Sequence, residues 1–205
     1  EPDKRNRQES AFFWEERNAW FSDAWDLRGA RQEMNNGAET RLRSAAFPFE
    51  LAYRLINMYS ARKDVVLDPF LGTGTTVHAA MASERNSIGV EIDPNFRRPI
   101  LDATPRALGS INDYIMDRIH RHQEFVRAYA ERKGAPKYVN AHFGFPVVTS
   151  QERNLSIRYV DSIEFVDGDS PEYRVRYSDH PVRPKQAPPP RRAPSATEDQ
   201  RKLAL

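Results

Sequence analysis

The residues able to do chemistry lie close together. Asp68 ends the run Val65-Val66-Leu67, the loop Gly72-Thr73-Gly74-Thr75-Thr76 follows, and Glu91 ends the run Ser87-Ile88-Gly89-Val90. Two glycines so spaced let the backbone approach a ligand closely. An acid about 20 residues beyond such a loop accepts hydrogen bonds from both hydroxyls of a ribose, and Glu91 is 19 residues past Gly72. A phosphate-binding loop would need Gly-Lys-Ser/Thr, but Gly74-Thr75-Thr76 has no lysine. A dinucleotide loop would need a third glycine where Val77 stands. Asp68, at the loop's start, would repel a pyrophosphate and attract an ammonium. A ligand with a ribose, positive charge and no phosphate is therefore expected, and S-adenosylmethionine is one.

The surrounding pattern supplies the elements that would position these groups. Val65-Val66-Leu67 reads as a buried strand delivering Asp68, Thr75 to Ser83 as a helix, Asn86 as a turn, and Ser87 to Glu91 as a second strand. Two parallel strands joined by a helical crossover indicate an α/β fold. Upstream, Pro48 suits the first position of a short helix, with Leu51, Leu55, Met58 and Tyr59 on its apolar face. Downstream, a helix is expected over Leu108 to Arg132, its apolar side formed by Ile111, Ile115, Ile119 and Phe125. Pro146-Val147-Val148, Leu155 to Val160, Ser162 to Val166 and Tyr173 to Tyr177 read as short strands. Asp167-Gly168-Asp169 is the expected turn of a hairpin between the last two, and Asn35-Asn36-Gly37 marks an earlier turn.

Asp68-Pro69-Phe70-Leu71-Gly72-Thr73-Gly74-Thr75-Thr76 resembles the cofactor-binding motif of the DNA amino-methyltransferases, which methylate adenine N6 or cytosine N4 in duplex DNA. Phe47-Pro48-Phe49-Glu50-Leu51-Ala52 resembles the short motif preceding that loop in the same family, and Ile88-Gly89-Val90-Glu91-Ile92-Asp93 the strand bearing its ribose-binding acid. Trp25-Asp26-Leu27-Arg28-Gly29 is a weaker echo of the lead-in stretch. The resemblance implies a Rossmann-like S-adenosylmethionine-dependent methyltransferase fold. It also implies roles: Asp68 at the amino end of the cofactor; Pro69, Phe70, Gly72, Thr73 and Gly74 shaping the loop; Thr75 and Thr76 hydrogen-bonding at the helix start; Phe47 and Pro48 on the methionine side; Glu91 on the ribose. Ile92 would pack beside the adenine or in the core.

The family's catalytic motif, an Asp, Asn or Ser followed by Pro-Pro and an aromatic, has no counterpart here. The adjacent prolines Pro188-Pro189-Pro190 follow Ala187 and precede Arg191. No catalytic residue is therefore expected in this chain. The expectation is a permuted enzyme, truncated or split, whose catalytic motif lies upstream or on a separate chain, leaving an incomplete fold here. A non-catalytic remnant, a partner-dependent subunit, and a methyltransferase acting on RNA or a small molecule remain as alternatives.

The 205 residues include no cysteine. That excludes disulfides, thiolate metal sites and the cysteine nucleophile of ring-carbon methylation within this sequence, and it accords with amine methylation. The histidines, His78, His120, His122, His142 and His180, show no metal-ligand spacing, so no metal is expected; His120 and His122 should point apart on their helix. No apolar run approaches the roughly 20 residues of a membrane span, and no signal-like segment opens the sequence, so a cytoplasmic location is expected. Four regions are expected: 1–43, a segment from a target-reading or linker region; 44–133, the cofactor-binding α/β part; 134–178, a β extension; and 179–205, a disordered basic tail. Glu1 to Gln8 is also expected to lack order. The net charge is +2, yet Pro181 to Leu205 alone holds six Lys or Arg against two acids. Phe12, Phe13, Trp14, Trp20, Phe21 and Trp25 carry too much apolar area to stand in water. They are expected to pack under the missing half, with contact to bases or to a partner as the alternative.

Overall fold

The computed structural model describes residues 2–27, 47–166 and 170–182. The two expected turns at Asn35-Asn36-Gly37 and Asp167-Gly168-Asp169 lie outside them, as does the basic stretch from position 183.

The N-terminal residues form two helices, α1 (Lys4–Glu9) and α2 (Trp14–Trp20). Order at Lys4–Glu9 corrects the expectation of a loose end. The Asp3 carboxylate caps α1 by accepting the Asn6 N–H at 2.7 Å. Asn6 Nδ2 donates to the Arg62 carbonyl at 2.9 Å, and Arg62 pairs with Glu9 at 3.0 Å. Most of the aromatic segment packs on this chain's own helices, but Phe21 is 52% exposed, against the expectation that these rings leave water. Phe13 is fully buried and Trp20 nearly so.

Helix α3 (Phe49–Tyr59) follows, with Pro48 as its cap at ψ 150° rather than its first helical residue. Its buried face is Ala52, Tyr53, Ile56 and Asn57, whereas Leu55 is 42% and Tyr59 75% exposed. The expected apolar face is thus rotated, because alanine and a hydrogen-bonded asparagine fit the close contact with the next helix.

Strand β1 (Val65–Asp68), helix α4 (Thr75–Ala82) and strand β2 (Asn86–Gly89) form the expected crossover unit, an α/β arrangement of Rossmann-like type. β1 and β2 pair in parallel, Val65 opposite Asn86 through Asp68 opposite Gly89. Asn86 is already in the strand, and the turn lies just before it at Glu84, where φ is +60°. β2 ends at Gly89, so Glu91 stands beyond it. Val66 faces the core, but Val65, Leu67 and Ile88 are 61, 63 and 56% exposed. β1 is therefore buried on one face only, not on both as expected. Gly89 is set by packing: a Cβ there would stand 2.5 Å from Leu71 Cδ2.

Helix α5 (Arg97–Ala103) and a 3-10 turn (Thr104–Arg106) lead into the 27-residue α6 (Ala107–Lys133). Ile111, Ile115 and Ile119 are buried along α6, as the periodicity predicts, but so are Asn112, Arg118 and His122. A small antiparallel pair, β3 (Tyr138–Val139) with β4 (Pro146–Val147), precedes a 3-10 turn, Ser150–Asn154. The antiparallel hairpin is β5 (Tyr159–Val166) and β6 (Glu172–Ser178). The two strands expected over 155–166 are one strand with a bulge at Val160–Ser162, preceded by Leu155 and Ile157, which enter the core without strand pairing. The Asn112 side chain acts as a strand edge for β5, donating to the Val160 carbonyl and accepting its N–H, both at 2.8 Å. Residues from 2–27, 47–133 and 134–178 share one apolar cluster.

Arg118 of α6 holds α2 and α3 together. Its guanidinium donates to both carboxylate oxygens of Glu16 at 2.6 and 2.7 Å, and to the Tyr53 hydroxyl at 2.6 Å. The rings of Phe13, Trp20 and Tyr53 lie 5.3–5.6 Å from it. Glu16 also accepts the Phe13 N–H at 2.9 Å.

Two outcomes are expected from denaturant unfolding. Arg118→Ala leaves Glu16 buried without its partner and should lose about 3–5 kcal/mol; the double variant Glu16→Gln/Arg118→Met should recover part of that. Gly89→Ala should cost roughly 1–3 kcal/mol through displacement of Leu71.

Candidate cofactor site

β1 delivers Asp68 to the start of the glycine loop, where Oδ1 accepts the Phe70 N–H at 3.0 Å. Two backbone bonds clip the loop to the chain leaving β2: Leu71 N–H to the Val90 carbonyl at 2.9 Å, and Val90 N–H to the Asp68 carbonyl at 2.8 Å. Gly72 at φ +55° and Gly74 at φ +90° then adopt left-handed conformations that side chains resist. Gly74 caps α4 without a side chain. The positive end of that helix, with Thr75 and Thr76 in its first turn, therefore opens onto the loop.

Glu91 reaches this loop from the other strand. Its Oε2 accepts the Gly72 N–H at 2.7 Å and its Oε1 the Asp93 N–H at 2.9 Å. Asp93 caps a short turn by accepting the Asn95 N–H, as a residue before proline often does. The two acids singled out in the sequence thus bracket one loop. Phe70 and Ile92 are 86 and 96% exposed. Ile92 is thereby removed from the core, and two bare apolar side chains flank the acids. Pro69 is exposed beside Phe70, and Thr73 is half-buried in the loop.

Phe47 and Pro48 are placed differently. Pro48 accepts the Leu51 N–H at 3.0 Å and belongs to the start of α3. Phe47, 39% exposed, precedes it. Among the described contacts, neither joins the loop.

Beneath the loop lies His78, absent from the sequence-based site. Its Nε2 is 3.2 Å from Thr104 Oγ1, and burial lowers its pKa from the usual histidine value. No spacing in the sequence links positions 78 and 104.

The histidines bear on metal binding as well. His120 is exposed and His122 buried, pointing apart as expected. His122, Glu15 and Glu152 converge, with one ligand atom of each within 4.8 Å of the others. His122 Nδ1 lies 2.7 Å from Glu15 Oε1. Burial raises the Glu15 pKa against the lowering effect of His122. Glu152 is occupied by protein donors, accepting from Trp14 N–H at 2.9 Å, Thr149 N–H at 2.6 Å and Thr149 Oγ1 at 2.8 Å. Such a carboxylate caps backbone, and the cluster ties α2, α6 and the Ser150–Asn154 turn together. Glu15 lies more than a hundred positions from the other two, which explains why spacing missed the cluster. Among the described residues, no helix is long and apolar enough to cross a membrane.

Comparison with known proteins bears on the same residues. The family profile described as DNA methylase matches residues 1–102. The chain is 51% identical over 160 residues to the type II methyltransferase M.MthZI of Methanothermobacter thermautotrophicus, covering 78% of this chain and 43% of that protein. It is 49% identical over 96 residues to the type II methyltransferase M.MjaI of Methanocaldococcus jannaschii, covering 47% of this chain and 30% of that protein. The chain thus spans less than half the length of these curated relatives. Among solved structures, a Thermus thermophilus protein described as a DNA modification methylase, crystallised with S-adenosyl-L-methionine, matches 52% of this chain and 38% of its own. The identity is 34% and the TM-score 0.42. By the match over the loop and the identity to the type II methyltransferases, the chain belongs to the DNA methylase family, the N6-adenine and N4-cytosine amino-methyltransferases.

Proposed function

We propose that this chain is the S-adenosylmethionine-binding part of a DNA amino-methyltransferase that acts in the cytoplasm on adenine N6 or cytosine N4 of duplex DNA. One observation carries the reading: a loop with two left-handed glycines is bracketed by Asp68 and by Glu91, which is bonded to the Gly72 N–H. Asp68 takes the ammonium of the cofactor, directly or through water. Glu91 takes the ribose hydroxyls; each carboxylate oxygen has two lone pairs, so it keeps its N–H bonds while accepting them. Pro69, Phe70, Gly72, Thr73 and Gly74 shape the cradle, and Thr75 and Thr76 supply donors at the helix start. The family resemblance puts Phe47 and Pro48 on the methionine side, where they would meet the cofactor from the start of α3 and apart from the loop itself. The bound cofactor supplies an electrophilic methyl carbon. An amine attacks such a carbon in a single displacement, so the chemistry needs no cysteine.

The site that grips the target amine is assigned to another segment or a separate chain carrying the Pro-Pro-aromatic motif. The same partner would cover Val65, Leu67 and Ile88 on the bare face of the sheet, since exposed apolar area of this kind marks an interface. A base displaced from the duplex would then meet the cofactor at the strand ends.

Calorimetry with S-adenosylmethionine tests the site. Asp68→Ala and Glu91→Ala should each weaken binding about 10-fold or more, as loss of a hydrogen bond to a charged group does. Unchanged affinity in both would overturn the assignment. The chain alone should transfer no tritiated methyl group to DNA; robust transfer would overturn the division between two parts.

A further inference from the structure

We propose that His78 is a positioning residue of the glycine loop, with its Nε2–H anchored on Thr104 and its ring supporting Gly74. This rests on the reading that the loop holds S-adenosylmethionine. His78 lies one turn into α4, and its N–H bonds the Gly74 carbonyl at 3.1 Å. Its ring turns back toward the loop. A Cβ built on Gly74 would meet His78 Cε1 and Nε2 at 3.9 Å and Ile100 Cγ2 at 3.8 Å. The imidazole and Ile100 are thus a floor beneath the residue at φ +90°.

Thr104 sets which nitrogen carries the proton. Its hydroxyl donates to the Ile100 carbonyl at 2.8 Å, leaving the oxygen as an acceptor at 3.2 Å from Nε2. The neutral ring therefore bears its proton on Nε2 and leaves Nδ1 bare. Thr104 is fully buried, and from the far side Tyr173 of β6 donates to the Leu101 carbonyl at 3.3 Å. A continuous support runs from the hairpin through the Thr104 turn and the imidazole to the second loop glycine.

Protonating Nδ1 would charge a ring held in apolar surroundings, and burial lowers the pKa below the usual 6.5. The charged groups on α5 and the turn after it, Arg97, Arg98, Asp102 and Arg106, are all exposed. From β6 come two tyrosines, Tyr173 bonded to the Leu101 carbonyl and Tyr177, whose hydroxyl donates to the Met81 carbonyl of α4 at 2.9 Å. On α4 and the loop, the charged residue is Asp68 at the loop's far end. Burial alone accounts for the shift. The neutral ring is favoured above pH 6.5, and its support is lost as pH falls through the lowered pKa.

The test is calorimetric affinity for S-adenosylmethionine between pH 8 and pH 5, with thermal unfolding of each variant alongside. At pH 8, His78→Ala should weaken binding roughly 3- to 10-fold, the worth of one lost hydrogen bond with its packing. His78→Gln, which keeps a donor at the same reach, should recover most of that loss. Wild-type affinity should decline toward the acid end of that range, as the ring takes up a proton, and the His78→Gln variant should decline less. Equal affinity and an equal pH profile in all three proteins, even with a lowered melting temperature, would overturn the positioning role. Asp68→Ala and Glu91→Ala measured in the same series separate the two ideas. If they abolish binding while the His78 variants bind normally, only the His78 proposal fails; if they bind normally, the site itself is misassigned.

Discussion

The buried pair of Arg118 with Glu16 is the constraint on which the arrangement depends. Placing two charges at 4 and 12% side-chain exposure costs several kcal/mol per ion in lost hydration. The cost is offset only because every direction is used. Both guanidinium bonds to Glu16 are short, a third donor meets Tyr53, and three aromatic faces lie against the cation. Each partner comes from a different element: Glu16 from α2, Tyr53 from α3 and Arg118 from α6. An apolar contact would let these helices slide, whereas a bidentate ion pair fixes their register. That register seats the aromatic segment and carries α3 against α4, which presents the loop.

Polar seams of the same kind recur at the other joints. Glu84 accepts from both Arg62 and Arg158, joining the turn before β2 to the end of α3 and the approach to β5. Arg62 continues to Glu9 of α1. Asn140 is fully buried, with its amide on the Glu152 and Leu155 carbonyls and its oxygen accepting from His142 and Phe143. A buried polar group left unpaired costs more than its bond contributes, so each seam admits one geometry. The small sheets of this chain, two strands each among the described residues, are oriented by side-chain bonds to helices more than by extended strand pairing.

What was legible in the sequence was local. Asp68, Gly72 and Gly74 act through neighbouring backbone, and Glu91 is brought to them by one crossover, so their order along the chain is nearly their order in space. The long helix with Ile111, Ile115 and Ile119 was readable because its period repeats over many turns. The face of α3 was not, since hydrophobic periodicity favours Leu55 and Tyr59, while packing chose Ala52 and Asn57, which permit a closer approach. The helix at Lys4–Glu9 was hidden because its anchor is Arg62, more than fifty residues away. Glu15, His122 and Glu152, like His78 and Thr104, meet only through the tertiary fold, and no spacing rule connects them.

The distribution of support around the loop separates the building of the loop from the covering of the sheet. The groups that set the loop's backbone belong to residues 68–104 or to the hairpin that meets Leu101, while Pro69 and Phe70 stand exposed. The uncovered side, with Val65, Leu67 and Ile88, contributes nothing to the positions of Asp68, Gly74 or Glu91. The left-handed glycines and the clip between Leu71 and Val90 are satisfied within the chain. A covering partner is thus not required to build the loop. On the proposed reading its role is to remove apolar area from water, and that burial would drive its association. On the proposed reading, a loop formed in advance and a face left open favour an order of events in which the cofactor-binding part folds first and the amine-gripping part docks onto it.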